Sequence, residues 1–279
     1  MNAAAVILAI ARKEVQENLR NRWVLAATLL MAGLALSLTL LGSAPTGTVG
    51  VRPLDVVVVS LSSLSIFLVP LIALLLSHDA VVGEVERGTM LLLLSYPVSR
   101  WQVLLGKFLG HLAILVFATL VGYGAAALAL RLTGDSLDAD SLRAFSGLIG
   151  ASILLGAAFL AIGYLVSTLV RQRGTAAGIA IGIWLVFVLV YDMALMGLLV
   201  VDQGERLTGG LLDALLLVNP TDAYRLLTLS GSERVGALSG MGSLAGTTRL
   251  TAPVLVGALA AWIGLPLLIA SFLFSRRDI

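Results

Sequence analysis

Few side chains in this sequence could do covalent or metal chemistry. Histidine occurs twice, as His78 and His111, and cysteine does not occur. A chain without cysteine has no thiol nucleophile, no disulfide and no thiolate metal site. The spacings H-E-x-x-H, G-x-S-x-G and G-x-x-x-x-G-K-[ST] are all missing. The last of these would cradle nucleotide phosphates, so the chain is not expected to bind and hydrolyse ATP by itself. What remains is a handful of ionisable residues in apolar surroundings, where such groups are functional suspects. Asp192 is the clearest. Met193 and Met196 stand beside it at i, i+3, a soft edge that could hold a metal. The plainer reading pairs Asp192 with an arginine or backbone group near the outer surface and treats the methionines as packing, and it is preferred. Lys107 and His111 share one face at i, i+4. There a lysine can snorkel to the headgroups and a histidine can serve as a polar packing group.

The elements that carry these residues are membrane helices. Hydrophobic residues make up 59% of the chain, charged residues 12%, and mean hydropathy is +1.03. A water-soluble domain would need more polar surface than that. Apolar runs of spanning length, roughly 20 residues each, cover Trp23–Leu41, Val56–Ser77, Trp101–Leu132, Leu142–Val170, Ala176–Val201 and Pro253–Phe274. The expected fold class is an all-α integral membrane protein, a single transmembrane domain over 1–279 with six spans. Before the first span, Ala3 to Asn21 reads as an amphipathic interfacial helix with Leu8, Ala11, Val15 and Leu19 on its apolar face. Small residues Gly42-Ser43-Ala44 follow the first run as in a signal peptide, but its length favours a retained helix. Lys and Arg concentrate in one set of connections, including Arg12, Lys13, Arg20, Arg87, Arg100, Arg171, Arg173 and Arg276. By the positive-inside rule that side is cytoplasmic, so the chain is expected in a bacterial inner membrane with both termini in the cytoplasm. The net charge of +2 and 6% aromatic residues argue against a nucleic-acid partner.

Two connections exceed plain turns. The inner one, 78–100, has a charged stretch with Glu84, Glu86 and Arg87, a Gly88-Thr89 break, a short apolar helix, then Tyr96-Pro97. An apolar helix at the cytoplasmic surface needs a partner groove to cover it. The outer one, 202–251, holds Leu211–Val218, a turn at Asn219-Pro220, and a second short segment from Asp222 to Leu229, which together would dip into the outer leaflet. Gly174, Gly178 and Gly182 repeat every four residues and would let another helix come close, within this chain or in a second copy.

The stretch GEVERGTMLLLLSYPVSRWQVLLGK from Gly83 closely resembles the coupling loop after the second span of ABC-2 type permeases. The start ARKEVQENLRNRW and the outer NPTDAYRLL match the same family, so the resemblance covers essentially the whole chain. Within the family it looks most like membrane subunits of transporters serving maturation of the copper enzyme nitrous oxide reductase, on NRWVL, FLVPLIALLLSHDAVVGE, SYPVSRWQVLLGKFLGH and LLLVNPTDAYRL. That resemblance implies an assembly of two permeases with two cytoplasmic ATPase subunits. A periplasmic β-helical maturation protein and a copper chaperone belong to the same pathway. ATP and magnesium would be bound by the ATPase, with no cofactor in this chain. Glu84, Glu86, Arg87, Gly88, Thr89, Leu92 and Tyr96 would couple to the ATPase, and Asn219, Pro220 and Tyr224 would face the periplasmic partner. The chain is expected to relay motion rather than pass copper, because Met31, Met193 and Met196 are the only methionines in spans and no ladder of soft ligands crosses the bilayer. A general ABC-2 exporter of lipid, drug or polysaccharide is the alternative.

Overall fold

The computed structural model describes residues 2–20, 22–42, 53–132, 139–202, 209–230 and 250–277, and among them no strand occurs. Asp135, Asp138, Met241 and the arginines between 231 and 249 lie outside the described residues. In chain order the helices are α1 (Ala3–Leu19), α2 (Arg22–Gly42), α3 (Pro53–Ser77), α4 (Val82–Glu86), α5 (Thr89–Leu94), α6 (Arg100–Leu132) and α7 (Ala139–Leu169). Then come α8 (Arg173–Leu185), a π-turn (Val186–Val190), α9 (Tyr191–Asp202), α10 (Gly209–Val218), α11 (Pro220–Ser230) and α12 (Ala252–Arg276).

Five stretches are long and apolar enough to cross a membrane: Val56–Glu86, Arg100–Leu132, Leu142–Leu169, Arg173–Val201 and Ala252–Arg276. A sixth is made by α1 with α2, which meet at a bend of 70°. α2 alone has 21 residues, about 30 Å at 1.5 Å per residue, which matches the hydrocarbon thickness.

α7 is the central helix, packed against α3, α6 and α12. Its glycines set the approach. A Cβ on Gly156 would meet the Leu115 side chain at 2.6 Å, and one on Gly163 would collide with Ser77 Oγ. Several polar atoms in this core pair across helices. The Ser65 and Tyr123 hydroxyls bond each other, and Ser152 bonds Tyr224 at 3.1 Å. The α8–α9 span is peripheral by contrast. Only 11% of its most apolar stretch is buried, against 72% for α7, so one whole side is left to lipid or to another chain.

α1 packs on protein through a face other than the apolar one of Leu8 and Leu19. Leu8 is 70% exposed and Leu19 is also exposed, whereas Val6, Ile10 and Glu14 turn inward. The reason lies in α6, whose Gly106 and Gly110 form a groove along its inner half. A Cβ on Gly106 would sit 2.8 Å from Ile10 Cβ, and one on Gly110 would sit 2.5 Å from Glu14 Cβ and 2.9 Å from the Ala11 carbonyl oxygen. α1 is therefore seated on protein, and its inner face follows the i, i+4, i+8 row that fits this groove. Around Gly174, Gly178 and Gly182 there is open space, with nothing within 4 Å of an added Cβ.

These two glycine sets should respond oppositely to substitution. Gly110→Ala forces α1 outward against a backbone oxygen and should cost about 1–3 kcal/mol, as overpacking does. Gly178→Leu should leave the melting temperature of the detergent-solubilised chain unchanged or raised. Equal destabilisation by the two would show that α1 is not seated on α6 in this way.

A candidate coupling site and its buried charge cluster

The inner connection is built as two short helices around one glycine. Gly88 has φ 72°, the left-handed region that only glycine enters without cost. It stops α4 and starts α5 in a new direction. α5 is pinned by Met90, which is fully buried, and by the Thr89 hydroxyl, which donates to the Glu84 carbonyl at 3.3 Å. Its other face is bare. Leu91 is 57%, Leu92 69% and Tyr96 68% exposed, and Trp101 at the start of α6 is 47% exposed. Arg87 and Glu86 are exposed beside them. Six of the seven residues named for coupling are thus exposed on the inner connection, and the seventh, Glu84, points inward.

Glu84 enters a buried ionic cluster. Its Oε1 accepts from Lys107 Nζ at 2.7 Å, and Glu14 Oε1 accepts from the same ammonium at 2.7 Å. Lys107 is 2% exposed and Glu14 4%. A lysine so enclosed does not snorkel, contrary to the reading from sequence. The groove that seats α1 brings a carboxylate to Lys107 before the side chain has reason to reach the headgroups. Glu14 Oε2 lies 3.5 Å from His111 Nε2, and His111 Nδ1 shares a hydrogen bond of 2.8 Å with the Tyr164 hydroxyl of α7. Lys13 adds a more exposed contact to Glu84 at 3.8 Å. The cluster ties α1, α4, α6 and α7 into one body.

A second set of bonds fastens the base of α4 to α7 and α8. Ser167 Oγ accepts from the amides of Val81 and Val82 at 3.0 and 3.1 Å. Arg173 donates to Asp79 Oδ2 at 2.7 Å, and its amide donates to Glu86 Oε1 at 3.1 Å. The C-terminal end is clamped into the same region. Arg277 donates to the carbonyls of Ser167, Thr168 and Val170, the free end of α7, and Arg100 donates to those of Phe274 and Arg277. Basic side chains at helix C-termini satisfy orphan carbonyls in this way. Short polar contacts therefore connect the α4–α5 connection with α1, α6, α7, α8 and α12.

At the other end, the outer connection is also held by polar anchors. The π-turn at Val186–Val190 frees the Phe187 carbonyl, which accepts from Asn219 Nδ2 at 2.9 Å and from the Thr221 hydroxyl at 3.2 Å. Asn219 Oδ1 accepts from the Thr221 amide at 3.0 Å, and Pro220 opens α11. Asn219 and Tyr224 are fully buried, so a periplasmic partner would meet a surface they shape rather than their side chains. Asp192 is paired with Arg225, bidentately at 2.6 and 3.2 Å, and Arg225 also reaches Asp222 Oδ1 at 3.2 Å. The arginine partner is thus a residue of α11. Met193 and Met196 are exposed, while Met31 is buried against Gly122. Among the described residues no group of three metal-ligating side chains is assembled.

The family model for ABC-2 family transporter proteins matches residues 8–279. The chain belongs to the ABC-2 family. Two relatives carry the description probable ABC transporter permease protein NosY. The one from Stutzerimonas stutzeri is 49% identical over 269 residues, covering 96% of this chain and 97% of its own. The one from Pseudomonas aeruginosa strain PAO1 is 50% identical over 275 residues, covering 98% and 99%. The chain is therefore a NosY-like ABC-2 permease, the multi-pass membrane component of an ABC transporter. Sequence reasoning found the exposed half of this inner connection through the hydrophobic run after Gly88. It missed the buried half, because Glu14 and Lys107 are 93 residues apart. The Gly106 and Gly110 spacing on α6 was the signal that could have found it.

Two predictions follow from these clusters in the ABC-2 permease. Lys107→Met leaves Glu14 and Glu84 facing each other without a cation and should cost about 3–5 kcal/mol of stability. Adding Glu14→Gln and Glu84→Gln to it should recover most of that loss in thermal unfolding. No recovery would mean that the cluster is not the destabilised element. On the outer side, burial pushes the Asp222 carboxyl up to about 6 from its ordinary 3.8, with Asp192 adding to the rise and Arg225 and Asn219 opposing it. Tyr191 of α9 also faces it. With the native value above the unfolded one, the protonated form favours the fold. That contribution is complete below about pH 3.8 and is lost as the pH rises through about 6. Moving from pH 7.5 to pH 5 should therefore add on the order of 1 kcal/mol to the outer half, and Asp222→Asn should flatten this slope in hydrogen exchange.

Proposed function

We propose that this permease couples ATP hydrolysis in two separate cytoplasmic ATPase subunits to periplasmic maturation of copper-containing nitrous oxide reductase, by mechanotransmission. The observation that carries the reading is the bare apolar face of α5, set on a buried ionic block. Leu92 and Tyr96 are covered by no group among the described residues, and exposed apolar helices of this kind dock into partner grooves. The block behind them makes α5 a lever, since its displacement moves Glu84, Lys107 and Glu14 together. The reassigned end of the relay is the outer bracket of α9, α10 and α11, whose surface would meet a periplasmic β-helical protein and, in the same pathway, a copper chaperone. ATP and magnesium belong to the ATPase. The likeness to NosY permeases, 49% and 50% identical over 96% and 98% of this chain, supports the choice of pathway over a general lipid, drug or polysaccharide exporter.

The same reading places both termini in the cytoplasm and a second copy of the chain against the open face of Gly174, Gly178 and Gly182. A reporter fused after Gln172, at the tip between α7 and α8, should behave as cytoplasmic, and a periplasmic signal there would invert the assignment. Gly178→Leu should lower the dimer yield in detergent while leaving the monomer folded.

The coupling assignment is tested by copurification from native membranes. Leu92→Asp and Arg87→Glu should insert normally yet retain at least about tenfold less ATPase, because each places an unmatched charge in a covered groove. Wild-type ATPase recovery with both variants would remove α5 from the interface.

A further inference from the structure

A cavity of about 590 Å³ lies in the inner half of the bundle, walled by α1, α2, α3 and α6 and floored by α4. Its volume is in the range of small-ligand sites. The lining changes character with depth, and two helices of opposite direction show the same order. α6 runs outward and turns to the cavity first Lys107 and His111, then Ile114, Leu115 and Ala118. α3 runs inward and presents Ile72, Leu75 and Leu76 before the chain reaches His78 and Asp79. From Lys107 to Ala118 is about 16 Å at 1.5 Å per residue, roughly half the hydrocarbon core of a bilayer. The open apolar wall is that of Ile72, Leu75 and Leu76 with Ala27 of α2, none of which is buried by protein. Leu115 and Ala118 close the outer end.

The charged end asks for no charge from a ligand. Glu14 and Glu84 share Lys107, Glu17 has Lys13 at 3.3 Å, and Asp79 has Arg173 at 2.7 Å. The apolar end is what the fold leaves without a filling. Water suits the charged mouth but gains little against an apolar wall, and an empty space there forfeits the contacts that packing would supply. At this depth of a bilayer the surrounding apolar matter is lipid, whose tails are as apolar as leucine. A phospholipid of the inner leaflet also runs in the order of the lining, with its head at the inner surface and its tail toward the midplane. We propose that one acyl chain of an inner-leaflet phospholipid occupies this cavity, its tail toward Ala118 and its head at the charged mouth. The site selects for the chain and its direction, and the head stays at the surface. This lipid is a resident of the permease, and its binding does not depend on which cargo or partner the transporter serves.

The test uses the full-length chain in nanodiscs of phosphatidylcholine. A small fraction of the lipid carries a diazirine at the end of one acyl chain, and the labelled residues are mapped by peptide mass spectrometry. Leu115 and Ala118 are buried from outside the bundle, so only an occupant of the cavity can reach them. The terminal diazirine should label both, and a diazirine placed next to the glycerol should shift the label to Val24 and Leu76 at the inner end. Ala27→Phe and Ile72→Phe fill the space from two walls and leave every charge in place. Each should abolish labelling of Leu115 and Ala118 and leave that of Leu29, 70% exposed on α2, as in the wild type. Melting curves confirm that the two variants are folded, and the wild-type pattern decides the matter even where one of them is not. Label confined to exposed positions such as Leu29 would show ordinary solvation by lipid and overturn the proposal. So would deep label that survives both folded variants, or a glycerol-end diazirine that labels as deeply as the terminal one.

Discussion

The structure depends on one ammonium ion held away from water. Lys107 sits between Glu14 and Glu84 at 2.7 Å from each, in the inner half of a hydrophobic bundle. Desolvating three charges is expensive, and the geometry offsets it only because both carboxylates reach the same nitrogen. That requirement dictates what surrounds it. α6 must be free of side chains at Gly106 and Gly110 so that α1 comes near enough to deliver Glu14. The connection after α3 must turn back under α6 so that α4 delivers Glu84. His111 and Tyr164 then close the remaining side. α1, α4 and α6 are tied together by a single shared charge, and α7 joins them through His111 and Tyr164.

The outer end solves a related problem without burying a full ionic triad. There the bundle must hold two short helices that do not cross, and it does so with backbone carbonyls as anchors. Phe187 O accepts from Asn219 and Thr221, Leu215 O accepts from the Tyr191 hydroxyl, and Leu217 O accepts from Trp262 Nε1. A small apolar core of Leu195, Leu212, Leu216, Leu226, Leu255 and Leu259 fills the space between. Polar anchors at both ends thus hold the spans in register with one another.

How much of this was legible in the sequence depended on the range of the interaction. The apolar runs declared the spans because bilayer thickness imposes a length that any reader can count. Gly88 and Pro220 declared their turns because each residue acts on its own backbone. The face that α1 turns to protein was not legible, because it is not the apolar face of Leu8 and Leu19. Glu14 is buried there because a glycine groove in another helix receives it. Asp192 was recognised as needing an arginine, but which arginine required the fold. Pairings across the chain leave no local trace, and the ionic cluster is composed entirely of such pairings.

The π-turn in the fifth span also constrains what evolution can do to this helix. Five residues from Val186 to Val190 carry one residue more than the regular spiral would need. Everything beyond it is rotated by about 100° relative to an unbroken helix, since each residue turns the chain by that amount. The glycine row before the turn and Asp192 after it are thus addressed to different neighbours. A lineage that lost a single residue here would keep a perfectly good membrane span by hydropathy. It would also swing Asp192 away from Arg225 and withdraw the Phe187 carbonyl from Asn219, so the length of this segment is as much a part of its code as the letters.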